Sequence, residues 1–331
     1  MDDSRYELSE DVMGTLYIDR KNCHIRLDGN ALAFYSNGQK EGIVPIEPVK
    51  RVIFIGNMAI ETSVLRRFSD MGISAIFLSG RRLRFSGMMH GRLHNNAILR
   101  LRQYKKAISG FAREFAQEIV MKKVKSQLVL LKEAIETRHD IRLELTESIK
   151  SLEEILKRLY SESFTIESLK GIEGSASAGY FKAYSNLFAE SLNFKRRTRR
   201  PPLDPVNAML SLCYTLLHFE LVREIEVIGL DPFIGFYHQF EYGRESLACD
   251  LVELFRTDAD RFVWKIFKDR EFTAQDFSKD HEDGGCYLRK NKRKDFYHLY
   301  ENWARGMRQA FTEEVRILAR RLNDEKDTLS E

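Results

Sequence analysis

Hydrophobic and polar positions follow two different patterns along the chain, and the change falls near residue 95. Before that point the apolar residues form short β-branched runs bounded by Gly, Asp and Asn, as in KRVIFIG (50–56) and ISAIFLSG (73–80). Such runs predict strands, and the preceding segments GTLYID and CHIRLDGNALAFYS predict further ones. Residues 59–72 carry an apolar stripe that ends at Gly72, which predicts one short helix.

Beyond residue 96 the apolar residues recur every three or four positions, and Lys and Arg occupy the remaining face, as in long amphipathic helices. Helices are predicted over about 97–135, 140–160, 175–194, 204–228, 246–267 and 292–323. The predicted fold class is therefore α+β with two domains. Residues 1–94 form a β-rich domain that we expect to dimerise, and residues 95–331 form a larger all-helical domain.

Composition excludes several classes of protein and leaves others open. The chain of 331 residues is 43% hydrophobic and 31% charged, has no apolar run near the roughly 20 residues of a membrane span, and begins with an acidic segment. We therefore expect a cytoplasmic protein without a membrane partner. The four cysteines are far apart and form no CxxC pair, which argues against a zinc site. A net charge of +4 is too small to indicate nucleic-acid binding by itself, so the distribution of charge matters more.

The stretch GIEGSASAGYF, residues 171–181, surrounds Glu173 with Gly, Ser and Ala. So many small residues indicate that another helix or a ligand backbone comes close. An acid in such surroundings is poorly hydrated and needs a cation or a hydrogen-bond partner. The alternative is a first-turn acid that interacts with the helix dipole.

A second stretch, residues 229–256, places His238 in a loop rich in glycine and aromatic residues. In the helix that follows, which Ser246 is predicted to cap, Asp250 and Glu253 share one edge of the apolar arc. Two acids three residues apart repel each other, so the pair predicts a compensating cation. A lysine or an arginine would suffice, and so would a metal ion.

A third stretch, KRRTRRPP at residues 195–202, concentrates positive charge. Lys195, Arg196, Arg197, Arg199 and Arg200 fall within six positions, and Asp204 is then predicted to begin the next helix. A charge run of this kind is usually a solvated helix end. Beside a cluster of acids and a histidine, it also suits the binding of a phosphate-bearing substrate.

Three segments in chain order resemble the signature motifs of the CRISPR-associated endonuclease and integrase family Cas1: GIEGSASAGYF (171–181), RRPPLDPVNAMLSLCYTLL (199–217) and the run from GLDPFIGFYH through RESLACDLVELFR (229–256). The β-rich first part and the helical second part fit the same family over nearly the whole chain. The resemblance implies a metal-dependent enzyme of CRISPR adaptation, active as a homodimer together with the partner protein Cas2. It further implies that double-stranded DNA fragments are inserted as spacers into the repeat array.

The resemblance also assigns roles to residues. It implies that Glu173, His238 and Glu253 are metal ligands and that Asp250 is a neighbouring acid of the catalytic site. A site of two carboxylates and one imidazole suits Mg²⁺ or Mn²⁺ better than a closed zinc site. Arg196, Arg197, Arg199 and Arg200 are predicted to contact DNA phosphates, and Arg244 and Tyr214 to position DNA, although a buried core role is the alternative for Tyr214.

Two other functions stay open from the residues alone. A non-catalytic DNA-binding scaffold would use the basic run for phosphate and pair the acids in salt bridges, and its DNA affinity would not depend on divalent metal. A phosphohydrolase acting on small nucleotides would need a compact nucleotide pocket, but the sequence contains no P-loop to build one.

Overall fold

The computed structural model describes residues 14–91, 96–238 and 241–323. The strands are β1 (Thr15–Asp19), β2 (Cys23–Asp28), β3 (Ala31–Ser36), β4 (Gln39–Pro45), β5 (Arg51–Ile55), β6 (Ala59–Ile60), β7 (Ser74–Leu78), β8 (Phe85–Met89), β9 (Phe277–Lys279) and β10 (Cys286–Leu288). The α-helices are α1 (Thr62–Met71), α2 (Ala97–Ala107), α3 (Gly110–Ile135), α4 (Arg142–Ser161), α5 (Ile166–Ser185), α6 (Pro205–Ile228), α7 (Ser246–Lys268) and α8 (Arg293–Asn323).

The chain divides into two compact units, of which the first contains the described residues up to 91 and Arg293–Gln309. It has two four-stranded sheets, ordered β1-β5-β7-β8 and β4-β3-β2-β6. In the former, β1, β5 and β7 are parallel and β8 is antiparallel. Ile25 and Phe34 of one sheet, Val52 of the other and Val64 and Phe68 of α1 are fully buried in one shared core.

The start of α8 belongs to this first unit because its side chains bind the strand ends. The Arg293 guanidinium contacts Asp19 Oδ2 at 3.1 Å and donates to the carbonyls of Gly80 and Arg81 at 2.6 and 2.8 Å. Tyr297 stacks on Tyr17 with ring centroids 4.4 Å apart. The boundary predicted at residues 94 and 95 placed all of this helix in the second domain, whereas its first half groups with the sheets.

The second unit comprises Asn96–Lys292 and the described residues from Ala310 onward. The long helix α3 packs against α4, α5 and α7, and α6 packs on α7. The predicted order of a β-rich region followed by a helical region is confirmed. One exception to the all-helical prediction is the antiparallel pair of β9 and β10.

The predicted helices at 140–160, 204–228, 246–267 and 292–323 are confirmed within one or two residues. The predicted helix over 97–135 is two helices, because the Ser109 hydroxyl accepts from Phe111 N and so caps a new helix after a break. The helix predicted from 175 begins at Ile166 instead, where the Thr165 hydroxyl accepts from Ser168 N at 3.2 Å. Asp204 caps α6 as predicted, whereas the predicted Ser246 cap is wrong because Glu245 holds that position.

Helix α6 is the one described helix whose length and composition would allow it to cross a membrane. Its apolar window is 72% buried within the fold. It packs against α7 and β10, and its buried residues run from Pro205 to Ile225. It is thus a buried helix of the second unit.

Candidate metal centre

Two of the predicted metal ligands meet at a buried lysine. Lys123 of α3 places its Nζ 2.6 Å from Glu253 Oε2 of α7, and the same ammonium forms an ion pair with Glu173 Oε1 of α5. The Lys123 side chain is 6% exposed, that of Glu253 5% and that of Glu173 23%. Because α3 packs against both α5 and α7, these three residues converge although they are distant in sequence.

Glu253 is held as a carboxylate by two cations. Arg256 Nη2 lies 3.0 Å from Glu253 Oε1, whereas Lys123 contacts the other carboxylate oxygen, Oε2. Burial alone would raise the pKa of Glu253, but the charges of Arg256 and Lys123 lower it to about 2. Glu253 is therefore ionised throughout the neutral range.

Glu173 is not a first-turn acid. It lies well inside α5, whose first-turn acid is Glu167, so the helix-dipole interpretation is wrong. Its Oε1 accepts from Ser177 Oγ at 2.7 Å. Among the described residues, nothing approaches within 4 Å of the position where a Cβ would stand on Gly171, Gly174 or Gly179. These three glycines thus face open space, whereas Ala176 of the same stretch is buried.

Asp250 fixes the loop that carries His238. The Asp250 carboxylate is fully buried and accepts from the backbone N–H groups of Phe236, Tyr237 and His238 at 2.7, 3.0 and 2.8 Å. It also lies 2.9 Å from His238 Nδ1. An ionised carboxylate only accepts, so Nδ1 carries the proton and Nε2 is the ring atom left to act as a ligand. Asp250 and Glu253 are both buried, so the edge of the apolar arc that they share faces the protein interior.

The donors fit a divalent cation by their chemistry. Glu253 Oε2 is buried and, among the described residues, has no hydrogen bond of good geometry despite its ion pair with Lys123. Burial, followed by the charges of the Glu173, Glu253 and Asp250 carboxylates, raises the pKa of Tyr237. Two carboxylates and an imidazole nitrogen form a donor set that Mg²⁺ or Mn²⁺ accepts.

The predicted ligands do not themselves stand in coordinating geometry. In the described part of the chain, no group of three His, Cys, Asp or Glu side chains is arranged to hold a metal ion. The physical reason is the Lys123 ammonium, which lies between the Glu173 and Glu253 carboxylates. The compensating cation expected beside the acid pair is thus present as a lysine on one side and Arg256 on the other.

The basic run divides into exposed and inward-facing residues. Arg196, Arg199 and Arg200 are exposed. Arg197 points into the fold, where its Nη1 donates to Asn207 Oδ1 at 2.9 Å and its Nη2 to Ser211 Oγ at 3.1 Å. Three of the four arginines are therefore placed to reach a phosphate, while Arg197 anchors the segment to α6.

Tyr214 and Arg244 differ in their surroundings. The Tyr214 ring lies beneath the guanidinium groups of Arg256 and Arg197, at 4.8 and 5.4 Å, and its hydroxyl donates to buried Asp260. Tyr214 is only 9% exposed, as the alternative of a core role expects. Arg244 is about one-third exposed and pairs with Glu241 Oε2 at 2.8 Å, just after the His238 loop. Their predicted roles toward DNA stay predictions.

Comparison with known proteins decides the family. The sequence profile of the family described as CRISPR associated protein Cas1 matches residues 16–302. The chain belongs to the Cas1 family. A relative named CRISPR-associated endonuclease Cas1 1, from Thermodesulfovibrio yellowstonii, is 52% identical over 96% of this chain and 100% of its own length.

Three solved structures share the fold. A Cas1 protein from Thermotoga maritima superposes with a TM-score of 0.80 at 25% identity, covering 96% of this chain and all of that chain. A casposase bound to its integration product gives 0.81 at 20% identity, covering 96% of this chain and 92% of the other. A chain of a Cas6-RT-Cas1–Cas2 complex gives 0.81 at 22% identity, and this Cas1 spans 36% of that longer chain.

Sequence patterns did not identify two residues of this Cas1 site. Lys123 looks like one of several basic residues on the polar face of α3, and only its contacts distinguish it from exposed Lys122 and Lys125. Arg256 lies three residues after Glu253, so an i, i+3 pairing was available as a signal. The acid pair predicts a cation but does not say which residue supplies it.

Proposed function

We propose that this Cas1 is a divalent-metal-dependent DNA endonuclease and integrase of CRISPR adaptation. It inserts short DNA fragments as spacers into the repeat array through attack of a fragment's 3′-hydroxyl on a phosphodiester. The observation that carries the proposal is the convergence of Glu173 and Glu253 at one buried cationic position. The loop that holds His238 is fastened to the same helix as Glu253 by Asp250.

Family membership supports this proposal. The Thermodesulfovibrio relative is named an endonuclease. The casposase with the same fold is described as bound to an integration product, which is the type of reaction proposed. The Cas1–Cas2 complex supports a Cas2 partner for this chain.

In the proposed reaction, Glu173, Glu253 and His238 Nε2 would hold Mg²⁺ or Mn²⁺. When bound, such an ion lowers the pKa of an attacking hydroxyl and stabilises charge on the phosphate and the leaving oxygen. Asp250 keeps the His238 proton on Nδ1, and Arg256 keeps Glu253 ionised. Arg196, Arg199 and Arg200 neutralise DNA phosphates without reading the base sequence.

One observation favours a second candidate, the non-catalytic DNA-binding scaffold. Lys123 and Arg256 already neutralise Glu173 and Glu253, as salt bridges in a structural core would. The two functions differ in their response to metal. A scaffold binds DNA equally with and without Mn²⁺ and yields no covalent product.

The proposal includes assembly in the cytoplasm as a homodimer with Cas2. The edge strands of the first unit are β1 and β8 in one sheet and β4 and β6 in the other. Exposed strand edges need to be covered. We therefore expect light scattering on the purified full-length chain to return a dimer at micromolar concentration. A monomeric mass under these conditions would contradict the assigned dimerisation of residues 1–94.

The direct test is a strand-transfer assay. The purified protein and its Cas2 partner are incubated with a short duplex bearing free 3′-hydroxyls and a plasmid that carries a leader and a repeat. We expect covalent insertion at the repeat in Mn²⁺ or Mg²⁺ and none in EDTA. DNA binding without insertion under all metal conditions would favour the scaffold.

A further inference from the structure

We propose that Lys123 is a resident counter-cation that a divalent metal must displace, so that this lysine limits the metal affinity of the Glu173–Glu253 centre. The inference rests on the proposed metal-dependent function, and it concerns the apo state of that same site. It assigns a role in metal exchange to a residue of α3, a helix that contributes none of the predicted ligands.

The first argument is burial. Lysine is rarely this buried unless it is paired, because removing an ammonium from water is costly. Lys123 is 6% exposed and contacts two carboxylates from two different helices. One ammonium thus neutralises acids from α5 and α7, which would otherwise repel each other across the centre. Without metal, Lys123 stabilises the packing of α3, α5 and α7.

The second argument is that the lysine and the metal compete for the same oxygens. Nζ lies 2.6 Å from Glu253 Oε2, the buried oxygen that otherwise has no well-formed hydrogen bond among the described residues. It also contacts Glu173 Oε1. A divalent ion bound by these carboxylates would stand a few ångströms from an ammonium, and at low effective dielectric that repulsion is large. The ammonium therefore has to leave before the ion can bind both acids.

Third, the Lys123 ammonium has space into which it can move when a metal ion binds. Glu173 is 23% exposed, whereas Glu253 is 5% exposed, so the centre opens toward α5. A four-carbon side chain can swing its ammonium toward this open side while its stem stays packed.

The proposal predicts the direction of two changes in Lys123→Met, one in the stability of the metal-free protein and one in the affinity for metal. Removing the Lys123 cation leaves Glu173 without its ion pair and Glu253 with Arg256 alone, so the metal-free protein becomes less stable and the metal binds more tightly. We expect the Kd for Mn²⁺ to fall on the order of tenfold or more, since about 1.4 kcal/mol of lost repulsion suffices for that factor. The rise in Tm at saturating Mn²⁺ should be larger than in the wild type for the same reason.

The experiment is a titration of the full-length protein with Mn²⁺ alone, followed by calorimetry and by thermal unfolding. Lys123→Arg keeps the charge and should bind Mn²⁺ no more tightly than the wild type. Lys125→Met, an exposed site on the same helix, is the matched control and should change neither Kd nor the Tm shift. Should Lys123→Met fail to fold without metal, Lys123→Gln replaces it, and folding that depends on Mn²⁺ also supports the proposal.

The outcomes separate this inference from the proposed function. In one outcome, the wild type binds Mn²⁺, Glu173→Gln does not, and Lys123→Met binds Mn²⁺ no more tightly than the wild type. That outcome overturns the role of Lys123 and leaves the metal centre intact. Absence of Mn²⁺ binding in the wild type and in Lys123→Met at millimolar concentration overturns the metal centre itself. Tighter binding in Lys123→Met than in Lys125→Met supports the inference.

Discussion

Three buried acids on helix α7 are satisfied in three different ways. Backbone and histidine N–H groups surround Asp250, and the cations Lys123 and Arg256 pair with Glu253. Asp260, about two turns beyond Glu253, accepts from the hydroxyls of Tyr180 and Tyr214 instead. The partner decides the charge state, so residue type alone does not assign a function to an acid of this helix.

Asp260 should make stability depend on pH. Burial raises its pKa from 3.8 to about 6 against the opposing effect of the tyrosine hydrogen bonds. The folded state thus holds a proton more tightly than the unfolded chain, and the stability this contributes at low pH is lost as the pH rises through about 6. In Asp260→Asn the side chain does not titrate, so this pH-dependent contribution to stability is absent.

The quantity to follow is the difference in the free energy of unfolding between the wild type and Asp260→Asn. We expect this difference to decrease by about 3 kcal/mol between about pH 4 and pH 7. Urea denaturation at each pH measures both proteins. A constant difference across this range would show that Asp260 keeps its ordinary pKa in the folded protein.

At the scale of elements, the strong periodic patterns predicted the structure well. Helices α6 and α7 and strands β5 and β7 lie where the apolar residues indicated. The start of α5 was missed because its glycines hide the helical pattern, and the Thr165 cap depends on a single hydroxyl. Strand β4 was missed because Gln39, Lys40 and Glu41 are exposed and give no apolar alternation.

The loop between α6 and α7 depends on close approach to the helix it precedes. A Cβ on Gly235 would stand 2.7 Å from the Ser246 carbonyl carbon and 2.9 Å from Asp250 Oδ2. Gly235→Ala should therefore push the loop away from the Asp250 carboxylate that holds His238. We expect a lower Tm and weaker Mn²⁺ binding.

Gly174→Ala is the matched control. A Cβ there meets no described atom within 4 Å, and α5 is helical on both sides, so alanine should raise stability by roughly 0.5–1 kcal/mol. Calorimetric unfolding of the two variants measures both effects. Equal Tm values for Gly235→Ala and the wild type would mean that the loop does not pack as described.

At the scale of the whole molecule, positive charge is concentrated in one short segment. The net charge is only +4, yet three exposed arginines fall within residues 196–200. The sequence predicted that the run binds phosphate but could not show that Arg197 points inward, because that depends on Asn207 and Ser211 of a later helix. In the same way, the sequence indicated Glu173 and Glu253 as candidate ligands but could not identify Lys123, which only tertiary packing brings to them.

Replacing Arg196, Arg199 and Arg200 together by Ala should weaken the binding of every DNA sequence about equally. The slope of log Kd against log salt should also flatten, because fewer counterions are released. Fluorescence anisotropy over a series of salt concentrations measures both. Arg197→Ala should instead lower Tm, and an unchanged salt slope in the triple variant would show that the run faces away from DNA.

The central claim is that Glu173 holds a catalytic metal, and the most direct measurement is Mn²⁺-dependent strand transfer by Glu173→Ala beside its thermal stability and DNA affinity. We expect integration and cleavage to be lost while the fold and most of the DNA affinity remain, since removing a ligand deletes the metal chemistry and leaves the phosphate contacts in place. Full integration activity in Glu173→Ala would contradict this claim.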